Sequence, residues 1–122
     1  MGLSRFRFRA WGKKLNRWYP IDGTDSMSIF DEESGLEIMQ FTGLHDKNGK
    51  EIWEGDVLSW QGADDEYTRG HVFFERGSFW ICFTEKPHIA YSETLSDHLE
   101  DRRDSEVLGN VYENPELLGE KP

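Results

Sequence analysis

Closely spaced turn signals divide the second half of this chain into short apolar runs. Asn48-Gly49 and Arg76-Gly77 are residue pairs that suit tight hairpin turns, because glycine adopts a positive φ without steric penalty. The runs beside these turns have the length of strands rather than helices, and they lie at residues 57–60, 70–75, 78–84 and 106–112. Short strands joined by tight turns pair in antiparallel fashion, which predicts a small SH3-like barrel.

The first 40 residues have a different character. Residues 5–11 alternate arginine with apolar side chains, the period of two expected for a strand, and residues 15–21 can return as its partner. Two shorter apolar runs, at 26–30 and 36–41, are further candidate strands.

Little helix is expected in this mostly β chain. Only residues 92–104 have helical spacing, and Asn114-Pro115 can open one short helical turn. We therefore divide the chain into a basic N-terminal β segment at 1–40, an SH3-like barrel at 41–118 and a flexible tail at 119–122.

Charge is distributed unevenly along the sequence. Residues 1–21 hold six bases and no acid, so that the remainder holds all 24 acids and the other 8 of the 14 bases, giving +6 against −16 within a net charge of −10. A basic arm before an acidic body indicates an anionic partner for the arm, or self-association in which the arm of one subunit meets the acidic surface of another.

The arginines of the arm have two interpretations. If Phe6, Phe8 and Ala10 pack inward, the alternate arginines form a stripe about 6.6 Å apart, near the spacing of phosphates on a nucleic-acid strand. Alternatively, the arginines protect an edge strand and pair with carboxylates of the same subunit or of a neighbour. The larger opposite charge of the body favours the second interpretation.

No pattern predicts a catalytic residue, a cofactor or a metal. The loop that starts at Asp46 lacks the glycine and the glutamate that a calcium loop needs at its sixth and twelfth positions, so a plain turn is expected. The single cysteine, Cys82, lies in an apolar run that favours packing over nucleophilic attack. The acidic clusters at 64–66 and 100–101 are expected to be solvated. No short paired spacing that would favour a metal links the four histidines, which are His45, His71, His88 and His98.

The compartment is predicted from what the sequence contains. No apolar run approaches the roughly 18 residues of a membrane helix, and the first residues do not have the pattern of a secretory signal. One cysteine fits a reducing environment. We expect no membrane association and a location in the cytoplasm of the host cell.

Three blocks of the sequence resemble the YopX family of phage and prophage proteins. They are RFRAW at 7–11, MQFTGLHDKNGKEIWEGDVL at 39–58 and EVLGNVYENPELL at 106–118. Gly12, His45 and Trp53 depart from the usual family pattern. The resemblance implies an SH3-like barrel after an N-terminal β-rich segment, and homo-oligomers, but it brings no catalytic residue set.

The leading hypothesis for function is a non-enzymatic phage accessory protein that acts through protein contacts, by self-assembly or with a host partner. One alternative is nucleic-acid binding by the basic arm, which is not favoured, and another is an acidic mimic of DNA that inhibits a host protein. The candidate interaction residues are Arg5, Arg7, Arg9, Trp53, Trp60 and Tyr67.

Overall fold

The computed structural model of the protein describes residues 7–21, 36–61, 67–83 and 92–118. Within these ranges the chain is mostly β, as predicted. Its nine strands are β1 (Phe8–Gly12), β2 (Arg17–Ile21), β3 (Leu36–His45), β4 (Glu51–Trp53), β5 (Asp56–Gln61), β6 (Tyr67–Glu75), β7 (Ser78–Phe83), β8 (Ser92–Thr94) and β9 (Glu106–Asn110). One helix, α1 (Leu95–Asp101), and one 3₁₀ turn (Pro115–Leu118) complete the description.

The strands form two antiparallel sheets. The N-terminal sheet has the order β2-β1-β3-β4, and the barrel sheet, which curls into half a barrel, has the order β8-β7-β6-β5-β9. β3 runs without a break across the predicted boundary between residues 40 and 41, and it joins the arm to the body. The predicted run at 26–30 and the tail at 119–122 lie outside the described residues.

The predicted hairpin between β6 and β7 is confirmed. Its turn residues Arg76 and Gly77 both have positive φ, at 55° and 78°, which matches the twist of the two strands they join. The short helical turn after Asn114 is also confirmed.

The helical spacing at 92–104 corresponds to two elements. Residues 92–94 form the short strand β8, and α1 begins after Thr94, whose hydroxyl accepts a hydrogen bond from the Asp97 N–H at 3.3 Å. Leu95 and His98, one turn apart, are the buried residues of this helix.

The core of the barrel lies between the concave face of its sheet and α1. Its fully buried members are Ile52, Leu58, Trp60, Val72, Ile81 and Leu95. The Trp60 ring lies 5.0 Å from the Phe83 ring and 4.2 Å from the His98 ring, measured between centroids. Aromatic packing therefore fixes α1 against the barrel sheet.

Asp46 connects the turn before β4 to β9. Its Oδ1 accepts the N–H groups of Asn48 and Lys50 at 2.8 and 2.9 Å, and its Oδ2 accepts the Val107 N–H at 2.9 Å. Burial opposes ionisation of this carboxyl, but the three backbone donors outweigh it and lower the pKa of Asp46. The plain turn predicted at this position is confirmed.

Side chains also occupy two N–H groups of β9, the last strand of the barrel sheet. Besides the Val107 N–H held by Asp46, the Asn110 N–H donates to Asn114 Oδ1 at 3.2 Å. These bonds satisfy backbone donors that another strand would otherwise pair with.

Replacing Asp46 by alanine should lower the free energy of unfolding by about 3 kcal/mol, because three backbone donors lose a charged acceptor. A carboxyl with a lowered pKa stabilises the fold above its ordinary pKa and loses that effect as the pH falls. The difference between wild type and Asp46→Ala should therefore shrink below about pH 4 in urea unfolding monitored by circular dichroism. Asp101→Ala, at an exposed position, is the control and should change stability by less than about 0.5 kcal/mol; an equal loss in both variants would contradict the assignment.

Candidate functional site

A groove separates the N-terminal sheet from β9. Its cavity volume is about 460 Å³, which is in the range of small-ligand sites. We call it the joint groove, and its lining includes Arg9, Trp53, Asp56, Leu108, Asn110 and Glu113.

Arg9 crosses from β1 into this groove. Its guanidinium carbon lies 4.1 Å from the Trp18 ring centroid and 4.6 Å from that of Trp53, so two aromatic faces contact the cation. Its Nη2 is 3.3 Å from Asp56 Oδ1. Within the described part of the chain, the buried Arg9 Nε has no hydrogen-bond partner.

Asp56 is the more deeply buried partner of this ion pair. Its side chain is 4% exposed, against 26% for Arg9, and its Oδ2 accepts the Trp53 N–H at 2.8 Å. Burial raises the pKa of Asp56 to about 6, although the Trp53 amide and the charge of Arg9 oppose the shift. Burial also lowers the pKa of Arg9 against the attraction of Asp56. Desolvation thus outweighs attraction for both partners, so the pair sets the position of β1 more than it stabilises the fold.

Arg7 lies on the same face of the arm. It forms a salt bridge with Glu51, and its guanidinium carbon is 4.5 Å from the Phe41 ring centroid. Both described arginines of the predicted stripe therefore pair with carboxylates of their own chain, as the second interpretation predicted. Arg5 lies outside the described residues.

The predicted orientation of β1 is wrong. Phe8 was expected to pack inward, but it is 40% exposed, and the face that carries Arg9 and Trp11 meets the body. The physical reason is that Trp18, Phe41 and Trp53 offer flat aromatic faces that bind guanidinium groups as well as apolar side chains.

The three aromatic candidates have different environments. Trp53 is half-buried beside Arg9 and lines the joint groove. Trp60 is 2% exposed within the barrel core, so its prediction as an interaction residue is wrong. Tyr67, at the start of β6, is 70% exposed and belongs to the other sheet. The structure brings Arg7, Arg9 and Trp53 together, whereas Tyr67 is apart from them.

A Glu-His-Ser arrangement that no sequence motif indicated lies under α1. His98 Nδ1 is 2.8 Å from Glu93 Oε2, and His98 Nε2 is 3.2 Å from Ser105 Oγ, which is the connectivity of a hydrolase triad. His98 and Ser105 are nonetheless 0% and 1% exposed, and Ser105 Oγ also bonds the Arg102 carbonyl at 2.8 Å. Burial lowers the pKa of His98, and Glu93 offsets part of this shift. The arrangement fastens α1 to the segment before β9, because a substrate has no path to the hydroxyl.

The other candidates for chemistry are dispersed. His45 is exposed with its ring 5.8 Å from that of Phe41, and burial lowers the pKa of the half-buried His71. Cys82 is a half-buried free thiol on β7. His88 and the acidic cluster at 64–66 lie outside the described residues, whereas Glu100 and Asp101 are exposed. Across the described ranges, no three histidine, cysteine or acidic side chains are grouped as metal ligands.

Among the described helices, none combines the length and the apolar character that crossing a membrane requires.

Comparison with known proteins extends over most of the chain. The family model described as YopX protein matches residues 23–119. Among solved structures, the chain is similar to protein EF1440 from Enterococcus faecalis, with 26% sequence identity and a TM-score of 0.61. This alignment covers 93% of the present chain and 97% of the other. A search of curated proteins finds no match.

Replacing Arg9 by methionine should lower the free energy of unfolding by about 3 kcal/mol at pH 8, because the buried Asp56 carboxylate loses its counter-charge. At pH 5 the carboxyl is protonated in the fold, and the loss should be much smaller. Urea unfolding of Arg9→Met at both pH values measures this. The double variant Arg9→Met/Asp56→Asn is the control and should recover most of the stability; an equal loss at both pH values would contradict the charge argument.

Ser105 should not react with a serine-directed fluorophosphonate probe in the native protein, because its hydroxyl is buried. Mass spectrometry of the intact protein after incubation measures labelling, with a serine hydrolase as the positive control. Stoichiometric modification that is lost in Ser105→Ala would show that the Glu-His-Ser arrangement is accessible and reactive.

Proposed function

The chain belongs to the YopX family, and we propose that it is a non-enzymatic accessory protein of a phage or prophage that acts through protein–protein contacts. It acts in the host cytoplasm, by self-assembly or by binding a host protein.

The proposal depends chiefly on how the N-terminal sheet distributes its side chains. Arg7 and Arg9 contact acids and aromatic rings of the body, whereas Phe8 and Ile38 are 40% and 49% exposed. Phe8 is opposite Gln40 and Ile38 is opposite Ala10, which makes Phe8 and Ile38 diagonal neighbours on one face. Neighbouring apolar side chains on a rigid sheet are typical of protein interfaces.

Engagement of the cations weakens the nucleic-acid alternative. A phosphate-binding stripe needs guanidinium groups that face solvent together. Here Arg7 pairs with Glu51 and Arg9 with Asp56, and at the hairpin turn Lys13 Nζ is 3.0 Å from Glu37 Oε2. A nucleic acid would have to compete with three carboxylates of the same chain.

The buried state of the reactive groups supports a non-enzymatic role. An acid–base or nucleophilic residue must reach the substrate. In the described part of the chain, Ser105 and His98 are enclosed, and Asp56 is already bonded to Arg9 and the Trp53 amide.

The wild-type protein should self-associate or retain a host protein, and Ile38→Lys should weaken that association tenfold or more, because a charge replaces an apolar contact in the outer face of the sheet. Light scattering during size-exclusion chromatography measures self-association, and affinity capture from host lysate measures partner binding. Circular dichroism confirms that the variant is folded.

Tyr67→Ser is the matched control, since it removes an exposed aromatic side chain from the other sheet. Retention of the contact in Ile38→Lys and its loss in Tyr67→Ser would move the interface to β6. A monomer that captures no protein but binds DNA at low salt would contradict the proposal in favour of the nucleic-acid alternative, and selective capture of a DNA-binding host protein would favour the DNA-mimic alternative.

A further inference from the structure

We propose that the β1–β2 hairpin is a detachable element and that a proton on Asp56 controls its docking. Docking tightens when the carboxyl is protonated and loosens when the carboxyl ionises. The inference goes beyond the proposed function, because it concerns a conformational change within one chain.

The hairpin reaches the body through a small set of contacts that converge on Asp56. Arg9 is held between Trp18 of the hairpin itself and Trp53 of β4, and its Nη2 contacts Asp56 of β5. Asp56 Oδ2 at the same time accepts the Trp53 N–H. One carboxyl therefore connects the hairpin to both β4 and β5.

The second polar contact is more exposed. The Arg7–Glu51 salt bridge has side chains that are 43% and 38% exposed, so water screens it. Along the rest of its length, β1 pairs with β3 in the antiparallel register that places Ala10 opposite Ile38.

Several charged groups face the ion pair from the elements around it. Lys50 and Asp46, in the turn between β3 and β4, act on Asp56 with opposite signs. Glu51 of β4 and Glu113 after β9 act on Arg9. Lys50, Glu51 and Glu113 line the joint groove, so the pair lies beside an opening through which a proton can reach it.

The direction of the pH effect follows from linkage. In the docked state burial raises the pKa of Asp56 to about 6 from an ordinary 3.8, and detachment exposes the carboxyl to water. The docked state therefore binds the proton more tightly, so docking is strongest below about pH 4 and weakens as the pH rises through 6. The difference between the two pKa values limits the change in the opening constant to roughly a hundredfold.

Amide hydrogen exchange of the full chain, followed by NMR and corrected for intrinsic rates, tests this proposal. The amides of Ala10, Trp11 and Tyr19 report hairpin opening, and those of Val72 and Ile81 report opening of the barrel. Between pH 4.5 and pH 7.5, the opening constant of the hairpin should rise tenfold or more, whereas that of the barrel should change much less.

Two variants separate Asp56 from other acids. Asp56→Asn should abolish the pH dependence and hold the hairpin at its low-pH opening constant. Glu37→Gln is the control, because it removes a more exposed carboxylate of the same sheet, 39% exposed and bonded to Lys13, and it should keep the wild-type dependence.

Three results would overturn the proposal: hairpin opening that is flat with pH, hairpin and barrel amides that open together at every pH, or a pH dependence that persists in Asp56→Asn. If that variant does not fold, the side-chain carboxyl carbon of Asp56 is titrated in the wild type. A midpoint near 6 supports the proposal, and a midpoint at or below 4 contradicts it.

Discussion

The two sheets depend on the turn at Glu54 and Gly55. The Glu54 N–H donates to the Gln40 carbonyl of β3 at 2.9 Å, while the Gly55 N–H donates to the Val72 carbonyl of β6 at 2.8 Å. The Gly55 carbonyl accepts the Val111 N–H after β9 at 2.8 Å. Gly55 has a φ of +91°, and a Cβ there would lie 3.1 Å from the Tyr112 ring, so glycine is the residue that fits. The next residue is Asp56, which places the ion pair directly beside the junction.

The sequence blocks that resemble the YopX family build this junction and its surroundings. Asp46 holds three backbone donors, and Asp56 bonds both Trp53 and Arg9. In the last block, Asn110 Oδ1 accepts the N–H groups of Tyr112 and Glu113 at 3.0 and 2.8 Å. These polar side chains organise turns and joints. Family membership thus identifies a way of folding, and it leaves function to surfaces outside these blocks.

Local patterns predicted the strands and turns well, because alternation and turn chemistry depend on neighbours in the sequence. The hairpin at Arg76 and the helical turn at Pro115 are examples. Alternation in β1 defined two faces but did not reveal which face meets the body, since Trp53 and Asp56 lie more than 40 residues away from Arg9. The burial of Trp60 and the Glu93-His98-Ser105 contacts likewise depend on packing between distant elements, which no short motif records.

The margins of the barrel sheet limit how copies of this protein can add to one another. At β9, Asp46 and Asn114 occupy backbone donors, and at the opposite margin β8 is three residues long. Open-ended growth, strand upon strand, as in a fibril, needs a long row of free backbone groups. Neither rim supplies such a row, so stacking of this sheet into an endless ribbon is suppressed, and contact through side-chain surfaces gives closed, countable particles instead.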